Sequence, residues 1–455
     1  MASASDPEFL NWRWDELQRE FARRGTTPPP KADLPAPHPS NPEYLVRTVY
    51  VIPADRIPAD PAAYDAKVSD ATARIRAALQ AIEDFYVYET ERFEVENPGK
   101  SLNFERDAEG KLVVHVIDST RPLKGPDGFW GDNEGFDWGG IFWRSTQEVF
   151  FTAEERDNAT EKTVWLFFPD VLEVENNPGE TIYRAYVGGG TSIRASTGGW
   201  GGVGVVTSGV TNFFPPHPGE PNELEAVWLD AVCDASTDYS LAGESGGVYG
   251  VSPGTGVPRV LKRGEGLSIY LGVIGHEVLH PVGMSHDFIT PDGLMGSGYE
   301  RMGAAILKQY GATPCTSDVD LVDTESSFNQ ETQLGEGYAE HIATTPYSQA
   351  IASSDRTDPS VSIGYPPRNT VLTYDARDSE GAYRIGYLAE DQAGGAGMNH
   401  TFLLRDGVMV DFARLADGDP PGSLGFVPAW WETLNGTLRF ELTAIDRAGN
   451  LSFMQ

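Results

Sequence analysis

Apolar positions recur with different periods along this chain, and each change of period marks an element. Residues 9–24 (FLNWRWDELQREFARR) set Leu10, Trp14, Leu17 and Phe21 at helical spacing, and the proline-rich stretch 26–42 after them predicts an extended, semi-rigid connector. Tyr44–Ile52 is β-branched and aromatic and predicts a strand. Over Tyr64–Thr90, Val68, Ala71, Ile75, Leu79, Ile82 and Phe85 line one face of a long helix. Leu102–Phe104 and Leu112–Ile117 flank an Asp-Ala-Glu-Gly turn and predict a hairpin, and Val164–Phe168 and Gly202–Val206 predict two further strands. The last of these lies in the glycine-rich stretch GGGTSIRASTGGWGGVGVVTSG. A second helix is expected from about Leu267 into GHEVLH. The order β-α-β-β-β-α predicts an α/β (α+β) domain with a mixed twisted sheet over a helix.

Beyond residue 345 the texture changes. SSDRTDPSVSIGYPPRNT (353–370) is linker-like, and after it short alternating runs such as YRIGYLAE, HTFLLRDGVMV and TLRFELTAID stand between turns. That spacing predicts an all-β sandwich. The expected organisation is an N-terminal helix and linker over 1–42, an α/β domain over 43–350 and a β-sandwich over 361–455, with few contacts crossing the linker.

Charge narrows the choice of function. The 455 residues carry 67 Asp+Glu against 34 Lys+Arg, a net −33. Residues 361–455 contribute −5 of this, so −28 sits upstream. Such an excess excludes a nucleic-acid backbone as partner, which needs clustered Lys and Arg, and favours cationic partners or metal ions. No run of 18 apolar residues predicts a membrane span, and residues 1–9 lack the basic and apolar regions of a signal peptide. The two cysteines, Cys233 and Cys315, offer one disulfide at most, with no ligand partner close by in sequence.

The chemistry concentrates in Gly275-His276-Glu277-Val278-Leu279-His280-Pro281-Val282-Gly283-Met284-Ser285-His286-Asp287. Two histidines four apart share one helix face, so both imidazoles reach one ion. Gly283 can take a positive φ and turn the chain sharply, which brings His286 back as a third nitrogen ligand. Three ligands and a free fourth position suit catalytic Zn²⁺, and Glu277 stands beside the first ligand as a general base for water. With only 8 histidines in the chain, a chance match is on the order of 10⁻⁵, so a merely structural helix is the weaker reading. Pro281 removes a helical N–H and disfavours α geometry at His280, so the helix should end or kink there.

This pattern resembles the long motif H-E-x-x-H-x-x-G-x-x-H of the metzincin zinc metallopeptidases, matched here at every fixed position. The resemblance implies a metzincin-like catalytic domain, Zn²⁺ on His276, His280 and His286, and Glu277 as catalytic base. It also implies a methionine turn at Met295, within Pro291–Gly296, and a substrate-holding edge strand at Gly202–Val206. Asp287 after the third histidine is similar to the adamalysin (reprolysin) branch, although that branch is cysteine-rich and this chain is not. Tyr299, four residues after Met295, is a candidate transition-state stabiliser, with packing as the favoured alternative. The end of the chain, Leu442–Asn450, is similar to the last strand and turn of bacterial Ig-like domains.

Other candidates are weaker. Asp127, Asp132, Asn133, Glu134 and Asp137 offer oxygen ligands to Ca²⁺ without EF-hand spacing, and a solvated acidic loop is the better reading. His115 reads as a core or face residue, His38 and His217 as loop residues, and His341 and His400 lack partners at ligand spacing. Asn158, Asn399, Asn435 and Asn450 sit in sequons. A cysteine-switch propeptide is excluded, since no cysteine precedes Cys233. The expectation is a zinc endopeptidase acting on protein or peptide substrates. It would work outside the cell or at its surface, with the C-terminal domain holding an extracellular polymer or cell surface. The alternatives are a non-catalytic zinc-binding adhesion or glycan-binding protein, and a zinc hydrolase of non-peptide amides.

Overall fold

A computed structural model of the chain describes residues 32–120 and 145–207, each with gaps, residue 122, and 214–215, 228, 231–234, 249–251 and 258–260. It further describes 262–309 with single gaps, 332–348, 360–365, 382–391, 397–415 with one gap, 422–426, 440–447 and 451–454. The predicted helix at 9–24, the acidic loop around Asp127–Asp137, His217, Cys315, Asn158, Asn435 and Asn450 lie outside these residues. The chain divides into two units: residues 1–85, 103–283 and 298–332, and residues 86–102, 284–297 and 333–455.

The first unit is built on a five-stranded sheet. Its strands are β1 (Leu45–Ile52), β2 (Val114–Asp118), β3 (Thr163–Pro169), β6 (Gly188–Arg194) and β7 (Trp200–Val206), ordered β2-β1-β3-β7-β6. The first four pair in parallel, and β6 runs antiparallel to β7. All eight residues of β1 are buried, as a parallel strand covered on both faces requires. Helix α1 (Pro61–Arg92) buries Ile75, Ala78, Leu79, Ile82 and Phe85, the face expected from the sequence, and each large apolar side chain so buried stabilises the fold by about 1.5–3 kcal/mol. Two small hairpins, β4 (Glu173–Asn177) with β5 (Glu180–Arg184) and β8 (Tyr249–Val251) with β9 (Pro258–Val260), complete the strands among the described residues. Helix α2 (Arg263–Leu279) is buried over nearly its whole length, and α3 (Met302–Gln309) follows a 3₁₀ turn at Gly298–Arg301. Two sequence expectations change here. The edge of the sheet is β6, because its pairing with β7 makes Gly202–Val206 an inner strand. The stretch Leu102–Phe104 forms single bridges rather than a strand, although the turn at Asp107–Gly110 is present.

The second unit contains the two-residue strand β10 (His286–Asp287), helix α4 (Glu336–Thr344) and strands β11 (Ser360–Tyr365) to β17 (Leu451–Met454). Between these run β12 (Tyr383–Glu390), β13 (Met398–Arg405), β14 (Val408–Arg414), β15 (Gly422–Phe426) and β16 (Phe440–Asp446). They form two sheets, ordered β10-β14-β13-β16-β17 and β11-β12-β15. One apolar cluster draws Ile385, Tyr387 and Leu424 from the second sheet and Met398, Leu403 and Leu442 from the first, so the two sheets share a core. Residues 360–365, read from sequence as linker, pair with β12 instead. The expected separation of the C-terminal strands from the histidine segment also fails, because β10 pairs in parallel with β14, His286 opposite Val408 and Asp287 opposite Met409. A two-residue strand has no periodicity for sequence reading to detect.

Candidate metal centre

Helix α2 opens with its first backbone donors cared for locally: the Lys262 N–H donates to Glu265 Oε2 at 2.7 Å. It ends at Leu279, and a 3₁₀ turn, His280–Val282, carries the chain to Gly283 at φ 93°. The Gly283 N–H donates to the His280 carbonyl at 3.0 Å. The stop predicted from Pro281 is therefore present, and glycine occupies the left-handed position that other residues rarely take. His280 itself keeps α geometry, φ −58° and ψ −46°. The steric restriction before proline is accommodated by tightening the turn, and the i, i+4 relation to His276 survives.

The three histidines of the motif come together. Their ligand nitrogens all lie within 4.8 Å of one another. His276 and His280 face each other with Nε2 to Nε2 at 3.0 Å and their rings edge-on at 4.7 Å between centroids. Two nitrogens about 2.0–2.1 Å from one tetrahedral ion would stand about 3.3 Å apart, so the pair fits an ion with a shift of a few tenths of an ångström. Nitrogen donors in this number suit Zn²⁺ or a neighbouring divalent transition metal. The His286 side chain keeps an exposed face, yet the protein around it partly desolvates the ring and lowers its pKa, which favours the neutral form whose lone pair a metal needs.

Glu277, 6% exposed, follows His276 on the same helix. Burial pushes its carboxyl up to about 8, because a charge in low dielectric loses hydration. Such a group accepts and returns protons near neutrality. Tyr299 lies in the 3₁₀ turn with its ring 5.7 Å from that of His276. The backbone there packs so closely on α2 that a Cβ at Gly272 would meet the Tyr299 carbonyl. Met295 is buried in the turn after β10, and its carbonyl accepts the Asp287 N–H at 3.0 Å.

No protein-family model matches the sequence, and no curated protein matches it. Among solved structures, wild-type OgpA from Akkermansia muciniphila is similar in two crystal forms. One has TM-score 0.47 at 14% identity over 94% of this chain and 95% of that one, and the other TM-score 0.46 at 14% over 94% and 96%. A catalytically inactive OgpA in complex with an O-glycopeptide substrate gives TM-score 0.45 at 12% identity, over 94% of each chain.

The remaining sequence candidates resolve differently. His115 belongs to a buried cluster, with Nε2 2.7 Å from Glu105 Oε2 and 3.0 Å from an Arg47 nitrogen. His341 and His400, distant in sequence, pack edge-on at 5.6 Å. Asn399 is 5% exposed and its amide donates to Glu340 at 3.2 Å, so this sequon is inaccessible to a glycan. Cys233 is disulfide-bonded. Among the described residues no helix is long and apolar enough to cross a membrane.

Sequence reasoning missed the floor beneath the helix end. Gly190 and Gly204 stand opposite each other in the β6–β7 ladder. A Cβ on Gly190 would lie 2.5 Å from the Glu277 carbonyl oxygen and 2.8 Å from His280 Cβ. On Gly204 it would lie 2.8 Å from the same carbonyl. The glycine run was the available signal, since glycine within a strand often marks close approach of another backbone.

Proposed function

We propose that the protein is a zinc-dependent endopeptidase with Zn²⁺ held by His276, His280 and His286. The observation that carries the reading is the convergence of three histidine nitrogens beside a buried carboxyl whose pKa is raised to about 8. When bound, zinc supplies Lewis-acid polarisation of the scissile carbonyl and lowers the pKa of the attacking water. The chain's own residues do the rest. Glu277 takes the proton of that water and returns it to the leaving amine. Burial around Glu277 keeps bulk water from levelling its basicity, and the α2 backbone holds it one residue from the first ligand. In this reading Tyr299, whose ring lies 5.7 Å from that of His276, donates its hydroxyl to charge developing on the carbonyl oxygen. The Met295 carbonyl accepts the Asp287 N–H, which ties that turn to the residue after His286.

The test uses Glu277→Gln, which keeps the shape and removes the base. Zinc content should stay at the parent level while cleavage of a peptide panel, with glycosylated and bare peptides side by side, falls by at least about 10². Parent-rate cleavage by this variant would remove Glu277 from the mechanism. A parent chain that binds zinc and cleaves no peptide would instead support the non-catalytic zinc-binding reading.

A further inference from the structure

We propose that the C-terminal part of the chain positions the third metal ligand, with Tyr338 of α4 as the positioning residue for His286. The inference rests on the reading of the three histidines as a metal site. A helix aligns His276 and His280 by itself, whereas His286 lies beyond Gly283, outside that helical register, so its place depends on how its own stretch of backbone is held. The Tyr338 hydroxyl, on a side chain 1% exposed, donates to the Ser285 carbonyl at 2.6 Å and lies 3.3 Å from the His286 carbonyl. One hydroxyl proton is thus aimed at the two carbonyls that bracket the His286 Cα.

Further restraints meet at the same segment. Strand β10 pairs with β14. The buried Asp287 carboxylate accepts the N–H groups of Ile289 and Thr290 at 2.7 and 3.1 Å through Oδ1. Its Oδ2 lies against Gly335, the residue that opens α4, where an added Cβ would come within 2.8 Å. Helix α4 is anchored in turn on the C-terminal sheet: Asn399 of β13 donates to Glu340 at 3.2 Å, and the Tyr338 ring packs on Phe402 at 5.9 Å. The path from that sheet to the third ligand is therefore continuous, Phe402 and Asn399 to α4, and α4 to Ser285–Asp287. Metal affinity should depend on residues far along the sequence that donate no ligand.

The experiment compares full-length Tyr338→Phe with the parent and with Tyr347→Phe, a control at another fully buried tyrosine. Zn²⁺ affinity is read by competition with a chromophoric chelator, coordination by the visible absorption of the Co²⁺-substituted protein, and stability by thermal melting. Loss of one buried hydrogen bond should weaken Zn²⁺ binding about three- to tenfold and shift the Co²⁺ bands, while Tyr347→Phe lowers the melting temperature without moving either. Gly335→Ala, which presses on Asp287 from the helix side, should act in the same direction as Tyr338→Phe. If both site variants lose stability yet keep the parent affinity and Co²⁺ spectrum, the positioning role is overturned. A parent chain that binds neither ion overturns the metal-site reading and this inference with it, an outcome visible before any variant is made.

Discussion

Replacing Gly190 by alanine tests whether the glycine pair in β6 and β7 is a seat for the metal-binding turn. The new Cβ would start 2.5 Å from the Glu277 carbonyl oxygen, 2.8 Å from His280 Cβ and 3.2 Å from Pro281 Cδ, where ordinary contact begins near 3.4 Å. Sheet and helix end must therefore separate by about 0.6–0.9 Å, and the obstacles are backbone and Cβ atoms rather than a flexible side-chain tip. Overpacking of this kind costs about 1–3 kcal/mol, roughly 2–10 °C in melting temperature for a unit of this size. The displaced groups are those to which the proposed function assigns metal binding and proton transfer, and misplacement by about 1 Å can cost on the order of 10² in rate. Gly204→Ala meets the Glu277 carbonyl at 2.8 Å and not His280, so it should reduce turnover more than zinc affinity, whereas Gly190→Ala should reduce both. Calorimetry, chelator competition and peptide cleavage on the same preparations read the three effects. A Gly190→Ala protein with the parent's melting temperature, zinc affinity and rate would refute the close-packed seat.

Three further outcomes are expected. His280→Ala should lose most bound zinc by metal analysis, and unchanged stoichiometry would remove it from the ligand set. For the metal-free chain, Glu277 has a folded pKa of about 8 against 4.5 for a fully hydrated glutamate, so the folded state keeps a proton that the unfolded state releases. Stability then falls as pH rises from 4.5 towards 8, and Glu277→Gln should lack this slope, being more stable than the parent by on the order of 3 kcal/mol at about pH 7 and equal to it near pH 4. Denaturant titrations in chelator at about pH 4, 6 and 8 check this, and parallel curves for the two proteins would contradict it. Finally, the −28 carried upstream of residue 361 should favour Lys- and Arg-containing peptides, with a preference that weakens as salt rises because exposed charges are screened beyond about 8–10 Å. A salt-independent preference would assign selection to local contacts.

Periodicity makes α1, α2 and strands β1–β3 legible, because burial on one helix face or along a whole parallel strand leaves a mark in every residue. The helix stop is legible too, since Pro281 and Gly283 impose it through covalent geometry. The histidine cluster can be read because an i, i+4 histidine pair has a meaning on a helix that needs no tertiary information. Pairing is what the sequence hides. Hydropathy names a strand but not its neighbour, so Gly202–Val206 reads as the sheet edge although Gly188–Arg194 covers it. Residues 353–370 read as linker because Pro, Ser and Asp outweigh Val361 and Ile363, yet part of that stretch forms β11. Strand β10 is too short to carry any pattern, and its partner is fixed by the fold of the whole second unit.

The geometry at His276 and His280 carries a consequence of its own. Two imidazole Nε2 atoms at 3.0 Å cannot both present lone pairs to each other without repulsion, nor can both carry protons there. The arrangement is favourable with one shared proton, or with a cation between them. The helix fixes this spacing through the i, i+4 register, and the glycine seat and the 3₁₀ turn fix the helix end. On the proposed metal reading, protons and metal compete for the same nitrogens. His286 stands outside the helix register, and the backbone on either side of it is held by the Tyr338 hydroxyl and by the Met295 carbonyl.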